Sequence, residues 1–229
     1  LAPEPDLAAE AMQAARLLAV DPAGLGGAIL RAPPGPARDA WLALLRAGLP
    51  AGTPWRRLPL GVPDSRLLGG LDLAATLATG RPVAERGVLA EADGGIVVAA
   101  MAERLEPATA ARIVAVMDRG AVAVQRDGLS AELPARLGLV ALDEGITPEE
   151  VVPAALRARL AFLLELPATA PSAVAADAAG IEAARRRLSR LQPDDSLAEA
   201  MCAAAASLGI DDLRAPLLAL RAARAAAAL

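Results

Sequence analysis

The sequence predicts an α/β fold with a largely parallel sheet, followed by a small all-helical lobe. Short uncharged apolar runs alternate with apolar-periodic stretches through the first two thirds, the pattern of strands buried on both faces. After Pro167 the β-branched runs stop and Ala-rich helical periodicity takes over. A chain of 229 residues is long enough for one domain, or one domain plus a small helical one. The division implied is a core over 1–166 and a helical lobe over 167–229.

Taken in order, "LAAEAMQAARLLAV" (7–20) has helical periodicity. "AIL" (28–30) is a buried strand, and 39–46 a helix with Asp39 at or near its N-terminus as a cap. "GGIVVAAM" (94–101) is Gly-bounded, β-branched and uncharged, a second core strand. Pro107 opens a helix whose Ile113, Val116 and Met117 share one stripe, and Gly120 ends it. "AVAVQRDGLSAEL" alternates around Asp127-Gly128, a strong hairpin signal. "RLGLVAL" (136–142) and "AFLLEL" (161–166) are further core strands. The small, Pro-containing stretch 167–180 reads as a linker or a loose helix start. Helices follow at 178–191, at 197–208 with Ser196 as N-cap, and at 211–228. Arg157, Arg221, Arg224 and the run Arg185–Arg187 read as solvated faces.

Composition excludes several chemistries. There is no His and one Cys, so His-dependent triads and a disulfide within the chain are impossible, and a zinc site nearly so. There is no Lys and no Asn; every positive side chain is Arg. The net charge of −4 carries no basic surplus, which argues against nucleic acid as partner. No apolar run reaches the roughly 18 residues of a membrane span. The first residues lack a basic region followed by an apolar stretch, so no signal peptide is expected, and the cytoplasm is the expected location.

"ILRAPPGPARDAWLALL" (29–45) has the strand, loop and helix layout of a phosphate-binding P-loop, GxxxxGK followed by Ser or Thr. Laid on that frame, the glycines become Ala32 and Ala37, the lysine becomes Arg38 and the hydroxyl residue becomes Asp39. Gly35 is the glycine left in the loop. Pro33, Pro34 and Pro36 have no N–H to offer a phosphate. A carboxylate at Asp39 sits where the helix N-terminus favours an anion, and so repels a nucleotide.

Three segments in order resemble the magnesium chelatase family of AAA+ proteins: "LPLGVPDSRLLGGLDL" (58–73), "GVLAEADGGIVV" (87–98) and "QRDGLSAELPARLGLVAL" (125–142). Arg66, Gly69, Leu71, Asp72, Gly87, Leu89, Ala90, Gly95, Arg126, Gly128, Pro134, Ala135 and Arg136 fit its pattern. The resemblance covers nearly the whole chain and implies an AAA+ core with hairpin insertions. In that family the Walker B strand ends in an Asp and a Glu; here those positions fall on Ala100 and Met101, and neither offers oxygen to a hard cation. The sensor 1 Asn is replaced within "VALDEG". Glu103 and Glu106 lie two and five residues beyond Met101, out of register for the acidic pair.

The family has an active ATPase subunit, I, and a larger subunit, D, whose nucleotide site is degenerate. The substitutions place this chain with the second kind. What the resemblance then implies is a non-hydrolysing module in a ring hetero-oligomer with the I subunit. The I subunit would use ATP and Mg²⁺, and a large porphyrin-binding subunit would insert Mg²⁺ into protoporphyrin IX, on the way to chlorophyll or bacteriochlorophyll. No cofactor is expected on this chain. "PAALRARLAF" (153–162) puts Arg159 at the family's arginine-finger position, and "GIDDLRAPLLALRAAR" (209–224) puts Arg214 at a sensor 2-like position. The family's D subunit continues into an acidic, Pro-rich linker and an integrin-I-like domain, which these residues do not contain. The alternative is a MoxR-like AAA+ chaperone remodelling a metalloprotein, which would need a working nucleotide site.

Overall fold

A computed structural model describes residues 7–126, 129–167 and 177–229. Helices α1 (Leu7–Val20) and α2 (Pro22–Leu25) precede strand β1 (Gly27–Arg31), helix α3 (Pro36–Gly48) and strand β2 (Trp55–Leu58). An excursion follows: α4 (Asp64–Leu68), β3 (Gly69–Leu71), α5 (Leu73–Thr79) and β4 (Ala84–Arg86), with β3 and β4 paired antiparallel. Then come α6 (Val88–Glu91), β5 (Ile96–Ala99), a 3₁₀ turn (Ala102–Arg104) and α7 (Pro107–Arg119). Strands β6 (Ala121–Arg126) and β7 (Leu129–Pro134) form an antiparallel ribbon. Its expected turn, Asp127-Gly128, lies outside the described residues. Strand β8 (Gly138–Asp143), α8 (Ala154–Arg157) and β9 (Phe162–Glu165) complete the sheet. Helices α9 (Ala178–Leu188), α10 (Asp195–Ser207) and α11 (Arg214–Ala228) follow.

Five strands form the main sheet in the order β2-β5-β8-β1-β9, and every neighbouring pair is parallel. The period of two along a strand sorts its residues between two cores. Ile29, Val97, Ala99, Leu139 and Ala141 face one way, onto Ile113 and Val116 of α7 and Val122 and Val124 of β6. Ala28, Leu30, Ile96, Val98, Val140 and Leu142 face the other, onto α1 and α3. Trp41 is fully buried in that second core, and its indole Nε1 donates to the Ala11 carbonyl at 2.7 Å. With three aromatic residues in the chain, packing rests on aliphatic side chains and on Ala, which lets helices approach closely.

Helices α9 and α11 join this second core through Ile181, Ala184, Ala225 and Ala228. Arginines fasten them. Arg185 donates to the carbonyls of Ala19 and Gly48, Arg221 to that of Gly24, and Arg224 to those of Leu188 and Leu191. This corrects the expectation that Arg185, Arg221 and Arg224 are solvated; a guanidinium has five donors and caps several exposed carbonyls at once. Two helix starts also differ from expectation. Helix α10 is capped by Asp194, whose carboxylate accepts from the N–H of Ser196, rather than by Ser196. Helix α3 begins at Pro36 with Gly35 as its N-cap, so Asp39 lies in the first turn and caps nothing.

Candidate functional site

The loop from β1 into α3 stands where a P-loop would stand, at the C-terminal end of the parallel sheet. Ala32 is buried and its N–H donates to the Asp143 carbonyl at 3.1 Å. That bond ties the loop to the end of β8, the sensor 1 strand of the resemblance. Arg38 is committed within the chain: its Nη1 lies 2.6 Å from Glu144 Oε1, with both side chains largely shielded. Arg31 donates to the carbonyls of Gly145 and Thr147, both at 3.2 Å, and lies 3.9 Å from Asp143. A cavity of about 320 Å³ opens here, and Arg31 faces Asp143, Glu144 and Glu165 across it.

Ala100 and Met101 follow directly on the end of β5, at the positions that the resemblance gives the Walker B acids. Met101 has a left-handed backbone, φ 47°, unlike the other described non-glycine residues. Two residues on, Glu103 does reach the site. Its side chain is fully buried; Oε2 accepts the Glu144 N–H at 3.0 Å, and Oε1 makes no hydrogen bond but lies 3.4 Å from Arg104 Nε as an ion pair. The role found is structural: Glu103 fixes the loop that presents Glu144 to Arg38. Sequence spacing gave no sign of it, because the contact joins residues 41 apart. No oxygen ligand stands at 100 or 101, and Arg38 is paired with Glu144 through Nη1 while its buried Nε has no hydrogen-bond partner.

Arg159 and Arg214 are brought together elsewhere, at the N-terminal end of the sheet. Arg159 lies just before β9, and an N-terminal strand end is one strand length from the P-loop position, roughly 15 Å. Gly26 makes the position possible: a Cβ there would stand 2.1 Å from the Arg159 carbonyl oxygen. The Arg159 Nε donates to Asp118 Oδ1 at 2.8 Å, Nη2 donates to Oδ2 at 2.5 Å, and Nη1 donates to the Ala155 carbonyl at 2.8 Å. Arg214 Nη2 lies 3.8 Å from the same Oδ2. The Arg159 hydrogen bond holds the Asp118 carboxyl below the usual carboxylate range, with the charges of both arginines adding to it against partial burial. Asp118 likewise raises Arg159. A cavity of about 220 Å³ lies beside these groups, lined also by Gly24, Met117, Leu217 and Arg221.

No protein-family model matches the chain. The magnesium-chelatase 60 kDa subunit of Cereibacter sphaeroides is 43% identical over 215 residues, which cover 93% of this chain and 35% of that protein. The 60 kDa subunit of Rhodobacter capsulatus is 36% identical over 221 residues, 93% of this chain and 35% of its own length. This chain is a relative of magnesium-chelatase subunits. It spans about a third of the length of the 60 kDa relatives. The magnesium-chelatase 38 kDa subunit of Acidiphilium rubrum is 33% identical over 196 residues, 75% of this chain and 57% of that one.

Solved structures agree on the fold. An ATPase candidate from Cytophaga hutchinsonii matches with a TM-score of 0.63 and 14% identity, over 96% of this chain and 78% of that one. A chain from a model of the complex between subunits BchI and BchD of magnesium chelatase, built on a cryo-EM reconstruction, matches with a TM-score of 0.56 and 23% identity. That match covers 94% of this chain and 91% of the other. The fold is the AAA+ type, a mostly parallel α/β sheet followed by helices.

Proposed function

We propose that this chain is the AAA+ module of a D-type magnesium-chelatase subunit that does not hydrolyse ATP. It serves as platform and regulator for the ATPase I subunit within a ring, while a large porphyrin-binding subunit inserts Mg²⁺ into protoporphyrin IX. The observation that carries this is the pairing of Arg38 with Glu144. A P-loop cation exists to meet the β- and γ-phosphates, and here that cation is neutralised by a carboxylate of its own chain. The three loop prolines and the methyl and thioether at 100 and 101 point the same way. In this role the core spans 1–166 and the helical lobe 167–229. A MoxR-like remodeller would need its own turnover, for which residues 38, 100 and 101 make no provision.

The module's contribution then comes from its other end. Arg159 is the residue we assign to reach a neighbouring subunit's γ-phosphate, with Arg214 beside it. The test is the ATPase rate of the cognate 38 kDa subunit, titrated with this protein and with Arg159→Ala. The protein alone gives no phosphate release, the wild type changes the partner's rate, and the variant binds without doing so. Turnover by the protein alone overturns the reading of the degenerate site. A variant that acts like the wild type leaves the chain a scaffold without a finger.

A further inference from the structure

Asp118 has no counterpart in the motifs of a nucleotide site, yet the arginine pair is organised around it. It is the penultimate residue of α7, at the helix end where the macrodipole disfavours a carboxylate. Its neighbours compensate: Arg159 forks onto both of its oxygens, and Arg214 stands 3.8 Å away. The fork matters because an arginine stem has many rotamers, and a bidentate carboxylate selects one of them.

The selected geometry leaves useful donors. Of the five N–H groups of a guanidinium, two of Arg159 go to Asp118 and one to the Ala155 carbonyl. One N–H on each terminal nitrogen therefore stays uncommitted. The cavity beside them is lined by three guanidiniums, Arg159, Arg214 and Arg221, and by the Asp118 carboxylate, with Asp212 the second carboxylate acting on Arg159, three positive charges against two. That balance suits a phosphate even with Asp118 in place.

We propose that Asp118 is a positioning residue: it holds Arg159 and Arg214 as a preformed pair of donors for a phosphate presented by a neighbouring subunit. This rests on the assignment of Arg159 as a finger acting in trans. Preforming the pair removes the cost of ordering a long side chain at the moment of reaction, so the effect belongs to turnover and not to assembly.

The full-length protein, as wild type, Asp118→Asn, Asp118→Glu and Arg159→Ala, is titrated into its cognate 38 kDa ATPase subunit. The plateau of the rate reports the finger, the midpoint reports assembly, and a series in ATP gives KM. Asp118→Asn is expected to shrink the change at the plateau by about tenfold, the factor that one charge-assisted hydrogen bond carries. Midpoint and KM stay where they were, and Asp118→Glu, which keeps the charge, recovers part of the loss. An unchanged plateau for Asp118→Asn overturns the proposal, as does a larger one, which would make Asp118 a brake. A shifted midpoint with the plateau intact makes the residue merely structural and overturns it too. Arg159→Ala separates the two ideas. If it leaves the plateau unchanged, the finger itself is wrong; if it abolishes the change and Asp118→Asn does not, only the positioning role falls.

Discussion

At the C-terminal end of the sheet Arg38 ends on Glu144, Arg31 stands near Asp143, and Glu165 lines the same mouth, three carboxylates against two arginines. At the N-terminal end Arg159 also meets a carboxylate, but there three guanidiniums, Arg159, Arg214 and Arg221, line the cavity with Asp118, and Asp212 is the further carboxylate acting on Arg159. Both ends hold arginine–carboxylate pairs, and what separates them is the surplus. One end has its positive charge consumed by its own chain; the other has positive charge left over. An AAA+ module needs one end to turn over its own nucleotide and the other to act on a neighbour's. On the proposed reading, losing the first does not require losing the second.

The largest expected effect breaks that comparison directly. Arg159→Ala removes the protein's influence on the partner's turnover, where a finger in trans is worth about 10³ to 10⁵ in rate. Arg38→Ala, at the other end, leaves that influence intact. Steady-state phosphate release with each variant at saturation checks both.

The cost of Arg38→Ala should appear in stability instead. Removing the arginine leaves the Glu144 carboxylate shielded and without its ion partner, a loss of about 1–3 kcal/mol in urea unfolding. A variant as stable as the wild type would mean the pair does not close the site.

Four of the five strands of the main sheet were legible because each holds a short apolar run near Gly or Pro signals; Ile96–Ala99 sits inside the segment expected, Gly138–Asp143 runs one residue past it, and β2 (Trp55–Leu58), which carries Arg56 and Arg57, was missed. The helix over 7–20 matched at both ends. The loop after β1 could be compared with a P-loop for a related reason, since a P-loop is a local spacing and Ala32, Ala37 and Arg38 can be laid against it. Partners across long sequence distances were not. Nothing near residue 38 announces Glu144, and nothing near residue 159 announces Asp118, because the sheet brings each pair together only after folding. The anchoring arginines of α9 and α11 failed for the same reason. Periodicity shows which face of a helix is charged, but not that a core carbonyl waits opposite it.

A smaller effect concerns pH. The Asp118 carboxyl is held below the usual carboxylate range by Arg159 and then by Arg214, with partial burial opposing. A depressed folded-state value means the pair's contribution is fully present above the unfolded value and is lost only as pH falls through the folded one. The ratio of the wild-type effect to that of Asp118→Asn is therefore flat from about pH 6 to 8, far above any carboxylate value. A ratio that falls within that window would show that a different group, not Asp118, holds the finger.

The smallest effect is a null that sharpens the difference between the ends. Restoring the acidic pair with Ala100→Asp and Met101→Glu supplies oxygen ligands for Mg²⁺ and a carboxylate to activate water. Phosphate release should nevertheless stay at background. The new carboxylates add negative charge to a mouth that already holds Asp143, Glu144 and Glu165, while Arg38 remains on Glu144. Pro33, Pro34 and Pro36 still lack the N–H groups that would wrap a phosphate. Catalytic groups at the Walker B strand are worth nothing to a nucleotide that does not dwell beside them. If the double variant does hydrolyse ATP, the loop end is open after all, and the two lost side chains alone had silenced it.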